Sequence, residues 1–356
     1  MALDQPLSAA GGGGGGGAAL AAPPPAAPPS HVRTRRPLPL RVGTRGSPLA
    51  LRQARNFLHR VATFCPVLRA PLGDGTPAFE EHVIATTGDR VQDRRLADIG
   101  GKGLFAKEIH EALLDGRVDF AVHSLKDLET ELPPGIVLAC TLKREDARDV
   151  LVAGPGLAPL DPADPLGTLP ARALVGTASL RRQSQLLHAR PDLRVEMMRG
   201  NVGSRLDKLA RGEADATMLA LAGLRRLGLE PAGMTVLDPE AMVPAAGQGI
   251  VGVTVREADA SLRDLLLGIE DPEARAVSRA ERALLASLDG SCRTPIGGHA
   301  RVLPDGLSLR LTGLVARPDG SFLLKRSVHG SVADAEAMGR ALGDSLRADS
   351  PADIFA

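Results

Sequence analysis

Apolar and polar residues alternate where the patterned part of the chain begins, and apolar residues then recur at helical spacing. Leu38, Leu40 and Val42 lie at every second position, which predicts a strand with one buried face. A glycine turn follows, and the Ser-Pro pair at 47–48 is typical of the N-cap and first residue of a helix. The order strand, glycine turn, helix suits an anion site at the helix start.

Strands and helices continue to alternate up to about residue 255. A second glycine turn at 100–103 leads into a helix that ends at Gly116. Further strands are predicted at 81–87, 118–123, 136–141, 173–176, 193–197, 214–220 and 250–255, and further helices at 180–189 and 201–211. This alternation favours parallel α/β sheets, whose ligands bind at the carboxyl ends of the strands.

The pattern changes after residue 271. A long helix at 272–288, two strands around the turn at 318–320, and a final helix at 333–346 predict a small α+β domain. Residues 1–37 show no such pattern, because an unbroken glycine run at 11–17 is flanked mostly by alanine and proline. A segment of this composition cannot bury a core, so we expect a disordered tail.

Composition argues against several classes of protein. The net charge is +1 and aromatic residues make up 2% of the chain, which disfavours a nucleic-acid surface built on base stacking. No apolar stretch has the length of a membrane span. The first residues lack the apolar core of a secretory signal, and only a short basic patch at 33–36 resembles a transit peptide. We therefore expect a cytoplasmic globular protein whose partner is a small anion.

Arginine is concentrated in one segment of this nearly neutral chain. Residues 176–205 contain six arginines, no lysine and two acids. The arginines are Arg181, Arg182, Arg190, Arg194, Arg199 and Arg205. Small residues precede both predicted helices of the segment, so that backbone N–H groups and guanidinium groups can reach the same ligand. The segment favours binding of several carboxylates or phosphates, and a solvated surface with ordinary ion pairs is the alternative.

Two further positions could carry chemistry. Asp127 and Lys126 directly follow a predicted buried strand, and a carboxylate among cations stays ionised and can stabilise a cation formed in a reaction. A turn-forming aspartate is the alternative. Cys65 and Cys140 lie in apolar surroundings and are expected to be buried, whereas Cys292 lies in a polar loop beside an arginine, a setting that favours a thiolate. A loop cysteine with no role is the alternative, and no spacing indicates a disulfide or a metal site.

From about Leu40 to its carboxyl terminus, the chain resembles the porphobilinogen deaminase family, also called hydroxymethylbilane synthase. The resemblance lies in residues 44–50 (TRGSPLA), 87–89 (TGD), 100–105, 123–127 (HSLKD), 176–183, 199–205, 245–249 and 292–297. It implies a transferase that joins four porphobilinogen units, with loss of ammonia, on a covalently bound dipyrromethane cofactor and releases hydroxymethylbilane by hydrolysis. It also suggests a monomer.

The resemblance implies a role for each motif residue. Cys292 would anchor the dipyrromethane through a thioether, and Asp127 would be the catalytic aspartate that hydrogen-bonds pyrrole N–H groups and stabilises positive charge. The residues implied to bind the cofactor are Lys126, Ser179, Arg181, Arg182, Arg199, Gly200 and Arg205. Those implied to bind the substrate are Arg45, Ser47, Lys102, Arg226 and Gln248. Arg190 and Arg194 match no motif.

The implied fold is α/β, with two periplasmic-binding-protein-like α/β domains around a cleft and a small α+β C-terminal domain. The implied domains comprise residues 38–142 with 250–268, residues 143–249, and residues 271–356, after the tail at 1–37. Asp98, Glu129 and Ser291 depart from the family's pattern. A non-enzymatic anion-binding two-domain receptor and a hydrolase with a cysteine nucleophile are the alternatives, and a covalent pigment on Cys292 would separate all three.

Overall fold

The protein is described by a computed structural model at residues 38–68, 78–91, 103–288 and 294–355. Within these ranges the chain forms two five-stranded sheets with helices, and a three-stranded antiparallel sheet near the carboxyl terminus. The predicted fold class is therefore confirmed. No helix of the described residues is both long and apolar enough to cross a membrane.

The elements of the described residues are numbered in chain order. The strands are β1 (Leu40–Thr44), β2 (Phe79–Val83), β3 (Phe120–Ser124), β4 (Ile136–Thr141), β5 (Asp149–Ala153), β6 (Leu174–Gly176), β7 (Arg194–Glu196), β8 (Ala216–Ala220), β9 (Met234–Val236), β10 (Val251–Arg256), β11 (Ile296–Val302), β12 (Ser308–Ala316) and β13 (Leu323–Ser331). The helices are α1 (Pro48–Phe64), α2 (Thr87–Arg90), α3 (Lys107–Leu114), α4 (Leu180–Ala189), α5 (Val202–Ala210), α6 (Leu221–Leu227), α7 (Ala260–Leu267), α8 (Pro272–Ser287) and α9 (Ala335–Ala348).

Both large sheets are mixed, so the prediction of parallel sheets is wrong in part. The first sheet has the order β2-β1-β3-β10-β4, with β10 antiparallel to β3 and β4. The second has the order β7-β6-β8-β5-β9, with β5 antiparallel to β8 and β9. The chain crosses from the end of β4 to β5 and later returns to β10. Because β5 and β10 each begin beside the end of a neighbouring strand, they must run in the opposite direction.

Helix α1 has the predicted cap at Ser47, and two further helices begin in the same way. Ser47, Ser179 and Asn201 cap α1, α4 and α5, each accepting a hydrogen bond from the backbone N–H three residues further on. Strand β2 lies earlier than predicted, because Thr87 belongs to the single turn α2 instead. Strands β5, β9 and β11 and helices α6 and α7 were not predicted.

Separate apolar cores lie against the three sheets. In the first, the rings of Phe57 and Phe120 meet edge to face with centroids 5.5 Å apart. Cys140 is fully buried in the same core, as predicted, whereas Cys65 is only half-buried because it caps the end of α1. In the third, Leu284 of α8 and Leu346 of α9 pack against β12. Each of the three sheets therefore has a face packed against an apolar core.

One buried ion pair fixes the two chain crossings between the large sheets. Arg144, in the first crossing, donates from Nη1 to Glu281 of α8 (2.6 Å) and from Nε to the carbonyl of Gln248 in the second crossing (2.8 Å). Glu281 also accepts from the N–H of Gly247 (2.7 Å). Gly249 has φ +87°, and a Cβ there would lie 2.2 Å from the carbonyl oxygen of Glu145, so only glycine fits.

Candidate functional site

Asp127 and Arg45 meet at the carboxyl ends of neighbouring strands of the first sheet. Asp127 ends the 3₁₀ turn that follows β3, and Arg45 follows β1. Arg45 Nη1 lies 3.3 Å from Asp127 Oδ2, and the two side chains are 20% and 28% exposed. The sequence motif thus places a carboxylate that solvent-borne molecules can reach beside a fixed cation.

Two further side chains orient Arg45. Its Nε donates to Asp89 Oδ2 of α2 (3.1 Å), and the ring of Phe105 has its centroid 4.1 Å from the guanidinium carbon. Burial alone would lower the pKa of Arg45, but the hydrogen bonds to Asp89 and the charge of Asp127 raise it. Arg45 is therefore a permanent cation held between two carboxylates. Asp89 lies in a recognised motif but was not predicted as a site residue.

Gly88 of α2 contacts both Phe105, which supports Arg45, and Arg199, which comes from the second sheet. Its N–H donates to the carbonyl of Leu104 (2.7 Å), and its own carbonyl accepts from Arg199 Nη2 (3.1 Å). A Cβ at this position would lie 2.3 Å from Phe105 Cε1. The absence of a side chain therefore lets Phe105 lie under Arg45 and lets Arg199 reach across from the segment between β7 and α5.

Arg181 and Arg182 are buried and share one acid, Asp149, at the start of β5. Arg181 Nη2 and Arg182 Nη2 each lie 2.8 Å from one of its carboxylate oxygens. Burial alone would raise the pKa of Asp149, but the two guanidinium groups hold it well below its usual range. Sequence reasoning missed Asp149, and its only signal was that it directly precedes the apolar run at 150–153. Arg182 Nε is buried with no hydrogen-bond partner.

Gln248 connects this pair to the first sheet. Its Nε2 donates to Asp149 Oδ1 (2.8 Å), and its Oε1 accepts from Lys126 Nζ (3.2 Å). A continuous polar chain therefore runs from Lys126, next to Asp127, through Gln248 and Asp149 to the arginines of α4.

Arg205 is a cleft cation with few partners among the described residues. Its Nε donates to the carbonyl of Gly200 (2.9 Å), and in the described part of the chain no acid pairs with it. Burial and the charges of Arg182 and Arg199 lower its pKa to about 10. Gly200 has φ +123°, a conformation that favours glycine. The remaining guanidinium N–H groups of Arg205 are therefore available to an anionic ligand.

The other predicted residues occupy helix ends and crossings. Ser47 and Ser179 use their hydroxyls as N-caps of α1 and α4, where backbone N–H groups are free for an anion. Arg226 of α6 donates from Nη2 to the carbonyl of Gly249 (2.6 Å), and burial lowers its pKa. Arg190 and Arg194 instead pair with the nearby acids Asp192 and Glu196.

Some predictions lie outside the described residues. These are the roles of Cys292 and Lys102 and the departures at Asp98 and Ser291. Glu129, the other departure, is described, and its Oε1 lies 2.3 Å from the position that a Cβ on Gly103 would take. In the ranges that the structure describes, no group of three His, Cys, Asp or Glu side chains is placed to hold a metal ion.

The arrangement can do two things chemically. Arg205 and the buried Nε of Arg182 supply positive charge and donors in excess of the acids paired with them in the described residues, a set that matches carboxylates. Asp127 places one negative charge among these cations, where it can stabilise positive charge that develops on a bound molecule. The cleft is therefore suited to a ligand that is polyanionic and becomes locally cationic during reaction.

The family models and curated relatives that match this chain agree with this chemistry. Residues 40–264 match the family model "Porphobilinogen deaminase, dipyromethane cofactor binding domain", and residues 276–348 match "Porphobilinogen deaminase, C-terminal domain". A porphobilinogen deaminase of Nitrobacter winogradskyi is 48% identical over 86% of this chain and 92% of its own length. One of Paracoccus denitrificans is 47% identical over 89% and 96%. The solved periplasmic VFT2 domain of BvgS from Bordetella pertussis is 14% identical, covers 68% of this chain and 92% of that chain, and has a TM-score of 0.36.

Proposed function

The chain belongs to the porphobilinogen deaminase family, and we propose that it uses Asp127 and the surrounding arginines to join four porphobilinogen molecules, with loss of ammonia, into hydroxymethylbilane. It is a transferase of tetrapyrrole biosynthesis with a dipyrromethane cofactor. The observation that carries the proposed site is Asp127 at the end of β3, 3.3 Å from Arg45 and facing cations of the second sheet.

The described residues fit the cofactor, because pyrroles with carboxylate side chains need guanidinium donors. Arg205 has spare N–H groups, and Arg182 Nε is buried without a partner. Arg181, Arg182, Arg199, Arg205, Gly200, Ser179 and Lys126 would hold the cofactor, and Cys292 would carry it through a thioether. When bound, the cofactor supplies the nucleophilic pyrrole carbon on which the chain grows.

Asp127 acts on the pyrrole that reacts. Its carboxylate accepts hydrogen bonds from pyrrole N–H groups and stabilises the positive charge that develops when ammonia leaves the aminomethyl carbon of porphobilinogen. Arg45 holds Asp127 from one side and is itself fixed by Asp89 and Phe105. This support keeps the carboxylate in position without a rearrangement during reaction.

The cations bind the substrate and the growing product. Each porphobilinogen carries an acetate and a propionate, so every added unit brings two more negative charges into the cleft. We assign Arg45, Ser47, Lys102, Arg226 and Gln248 to substrate binding. Ser47 contributes through the N-terminus of α1, where unpaired N–H groups favour an anion. Arg181 and Arg182 act from their fixed positions beside Asp149.

The proposed site residues fall in three domains. We propose a first domain of residues 38–142 and 250–268 that carries Asp127, a second of 143–249 that carries the arginines, and a third of 271–356 that carries Cys292. We also propose that the enzyme is cytoplasmic and monomeric and acts without nucleic acid or membrane. A single elution volume at the mass of one chain in size-exclusion chromatography with light scattering would support the monomer.

Intact mass and product analysis test the proposed function together. Protein expressed in a pyrrole-producing host should exceed its polypeptide mass by two linked pyrrole units, and Cys292→Ala should lack this addition. The chain has no Trp and no Tyr, so a covalent chromophore should dominate the near-ultraviolet spectrum. Porphobilinogen should be consumed and hydroxymethylbilane released. Binding without turnover would indicate a receptor instead, and an unmodified but Cys292-dependent enzyme would indicate a hydrolase.

A further inference from the structure

The three-stranded sheet near the carboxyl terminus, here called the C-terminal sheet, contacts α4 through the turn between β12 and β13, residues 317–322. Gln183 Nε2 of α4 donates to the carbonyl of Pro318 (3.0 Å). His188 Nδ1 of the same helix donates to the carbonyl of Gly320 (3.0 Å). The two donors are five residues apart, so they hold α4 at points about 7.5 Å apart along its axis. The turn therefore restrains both the rotation and the axial position of this helix.

The backbone of the turn also touches the backbone of α4. Gly320 is buried and has φ +77°, and a Cβ at this position would lie 2.5 Å from the backbone nitrogen of His188. Because this neighbour is helix backbone and not a flexible side chain, a larger residue must move the turn away from the helix. The absence of a side chain at Gly320 therefore sets how closely the turn packs on α4.

The same end of the C-terminal sheet is bonded to the segment that follows Cys292 in the sequence. The N–H of Ala316, the last residue of β12, donates to the carbonyl of Pro295 (3.1 Å). Pro295 directly precedes β11 and stands three positions after Cys292. A short series of contacts thus leads from Pro295 through Ala316 and the turn to α4.

The segment before the second crossing holds another side of α4. Gln185 Nε2 donates to the carbonyl of Val243 (3.2 Å), and Gln185 Oε1 accepts from the N–H of Val243 (2.7 Å). The side chain of Val243 packs with Leu314 of β12. Helix α4 is therefore clamped to the C-terminal sheet on two sides, and Arg181 and Arg182 in its first turn are held at a fixed distance from that sheet.

We propose that the β12–β13 turn is a positioning element of the active site, and that Gln183, His188 and Gly320 act as positioning residues through α4. By fixing this helix relative to the segment after Cys292, the turn keeps Arg181 and Arg182 aligned with the carboxylates of a cofactor on that cysteine. The inference rests on the proposed function. The residues assigned to substrate binding are not on α4, so a displaced helix should misplace the nucleophilic carbon of the cofactor and leave substrate binding intact.

Gly320→Ala tests this role in the holoenzyme. The new Cβ would push the turn away from α4, so kcat per pigment-carrying chain should fall by about tenfold while KM for porphobilinogen changes by less than about twofold. Intact mass gives the fraction of chains that carry pigment. Gly306→Ala is the matched control, because its φ of +68° imposes a comparable backbone strain but nothing lies within 4 Å of its Cβ. This control should keep wild-type kcat.

Near-ultraviolet circular dichroism reports the setting of the pigment separately from the stability of the protein. The chain has no Trp and no Tyr, so the pigment should dominate this region of the spectrum. Gly320→Ala should alter the pigment band, and Gly306→Ala should not. A purely structural role of the turn would lower the midpoint of thermal unfolding but leave the band of the folded holoenzyme unchanged.

His188→Leu and His188→Asn form a second pair of variants, which decides the matter if Gly320→Ala does not fold. Leucine removes the donor to Gly320, whereas an asparagine amide can donate from nearly the position of Nδ1. His188→Leu should lower kcat a few-fold and alter the pigment band, and His188→Asn should restore both.

Wild-type kcat and an unchanged band in folded Gly320→Ala, or in His188→Leu where Gly320→Ala does not fold, would overturn this inference alone. A wild-type enzyme that carries no pigment and releases no hydroxymethylbilane would overturn the proposed function and this inference with it.

Discussion

The carboxylate of Glu281 accepts a 2.6 Å hydrogen bond from Arg144 in the interior of the protein. The side chain of Glu281 is fully buried, and it also accepts from the N–H groups of Gly247 (2.7 Å) and Ala300 (2.6 Å). One acid therefore fixes both crossings between the large sheets to α8 and β11. Without it, a largely buried cation and two buried N–H groups would lack their acceptor.

Glu281→Gln should lower the free energy of unfolding by about 3 kcal/mol, because removing one partner of a buried ion pair leaves the other uncompensated. Urea denaturation of the two proteins measures the difference. Glu336→Gln is the matched control, since Glu336 forms an exposed pair with Arg340 and its loss should cost about 0.5 kcal/mol or less. Equal losses in the two variants would show that the buried pair has no special role.

Gly88→Ala should impair catalysis through the position of Arg45. The added Cβ would lie 2.3 Å from Phe105 Cε1, so the ring that supports Arg45 must shift. A displacement of catalytic groups by about 1 Å can reduce rates by up to about a hundredfold. We expect kcat/KM for hydroxymethylbilane formation to fall by about 10–100-fold. Gly156→Ala, where nothing lies within 4 Å of the new Cβ, should keep wild-type kinetics. Normal kinetics in Gly88→Ala would contradict the role of Phe105.

His110 should make the protein less stable in mild acid. It lies on α3, is buried with neither ring nitrogen hydrogen-bonded, and burial lowers its pKa from 6.5 to about 4. Between these values the unfolded chain binds a proton that the folded chain does not, so stability falls as the pH falls from about 6.5 to about 4. The contribution is about 1.4 kcal/mol per pH unit.

The variant His110→Leu isolates this contribution. Its free energy of unfolding in urea should fall less steeply than that of the wild type between pH 6.5 and pH 5. Above pH 7.5, where the imidazole is neutral in both states, the two stability curves should run parallel. Parallel curves over the whole range would mean that His110 titrates equally in the folded and unfolded chains.

The sequence predicts the local features of this fold better than its long-range features. Ser47, Ser179 and Asn201 mark helix starts because capping depends on residues three apart. The direction of β5 and β10 follows instead from where the chain crosses between sheets, which no local pattern encodes. Strand β9 was not predicted, although β6 and β7, which are equally short, were.

In the candidate site too, the sequence predicts the local motifs but not the long-range pairs. Arg45 and Asp127 could be named from their motifs, and both lie after the carboxyl ends of strands, where the sequence predicts ligand binding. The pairing of Asp149 with Arg182 joins residues 33 positions apart, and that of Gln248 with Lys126 joins residues 122 apart. Such pairs depend on the packing of whole elements, so the sequence could indicate an anion-binding segment but not which arginines keep free donors.

Arg205→Gln should weaken the hold on the cofactor without lowering the stability of the protein. Arg205 has no acid partner in the described ranges, and its burial is unfavourable for a charge, so the neutral variant should unfold at the same urea concentration or a higher one. A lost charged hydrogen bond costs about 1.5–3 kcal/mol, so kcat/KM for hydroxymethylbilane formation should fall by about 10–100-fold because the cofactor is held less firmly. Arg194→Gln, which removes an exposed pair with Glu196, should leave kcat/KM unchanged. An unchanged kcat/KM in Arg205→Gln would exclude a contact of Arg205 with the cofactor.

Asp127→Asn should separate turnover from cofactor attachment. Asparagine keeps the shape of the side chain and can still accept from Arg45, so folding and the mass of the bound pigment should match the wild type. It lacks the negative charge that stabilises the developing cation, and kcat should fall by about 100–1000-fold. Asp305→Asn, which alters an exposed turn before β12, serves as the control and should retain wild-type kcat. Near-normal hydroxymethylbilane release by Asp127→Asn would show that the charge of this carboxylate is not used in the reaction.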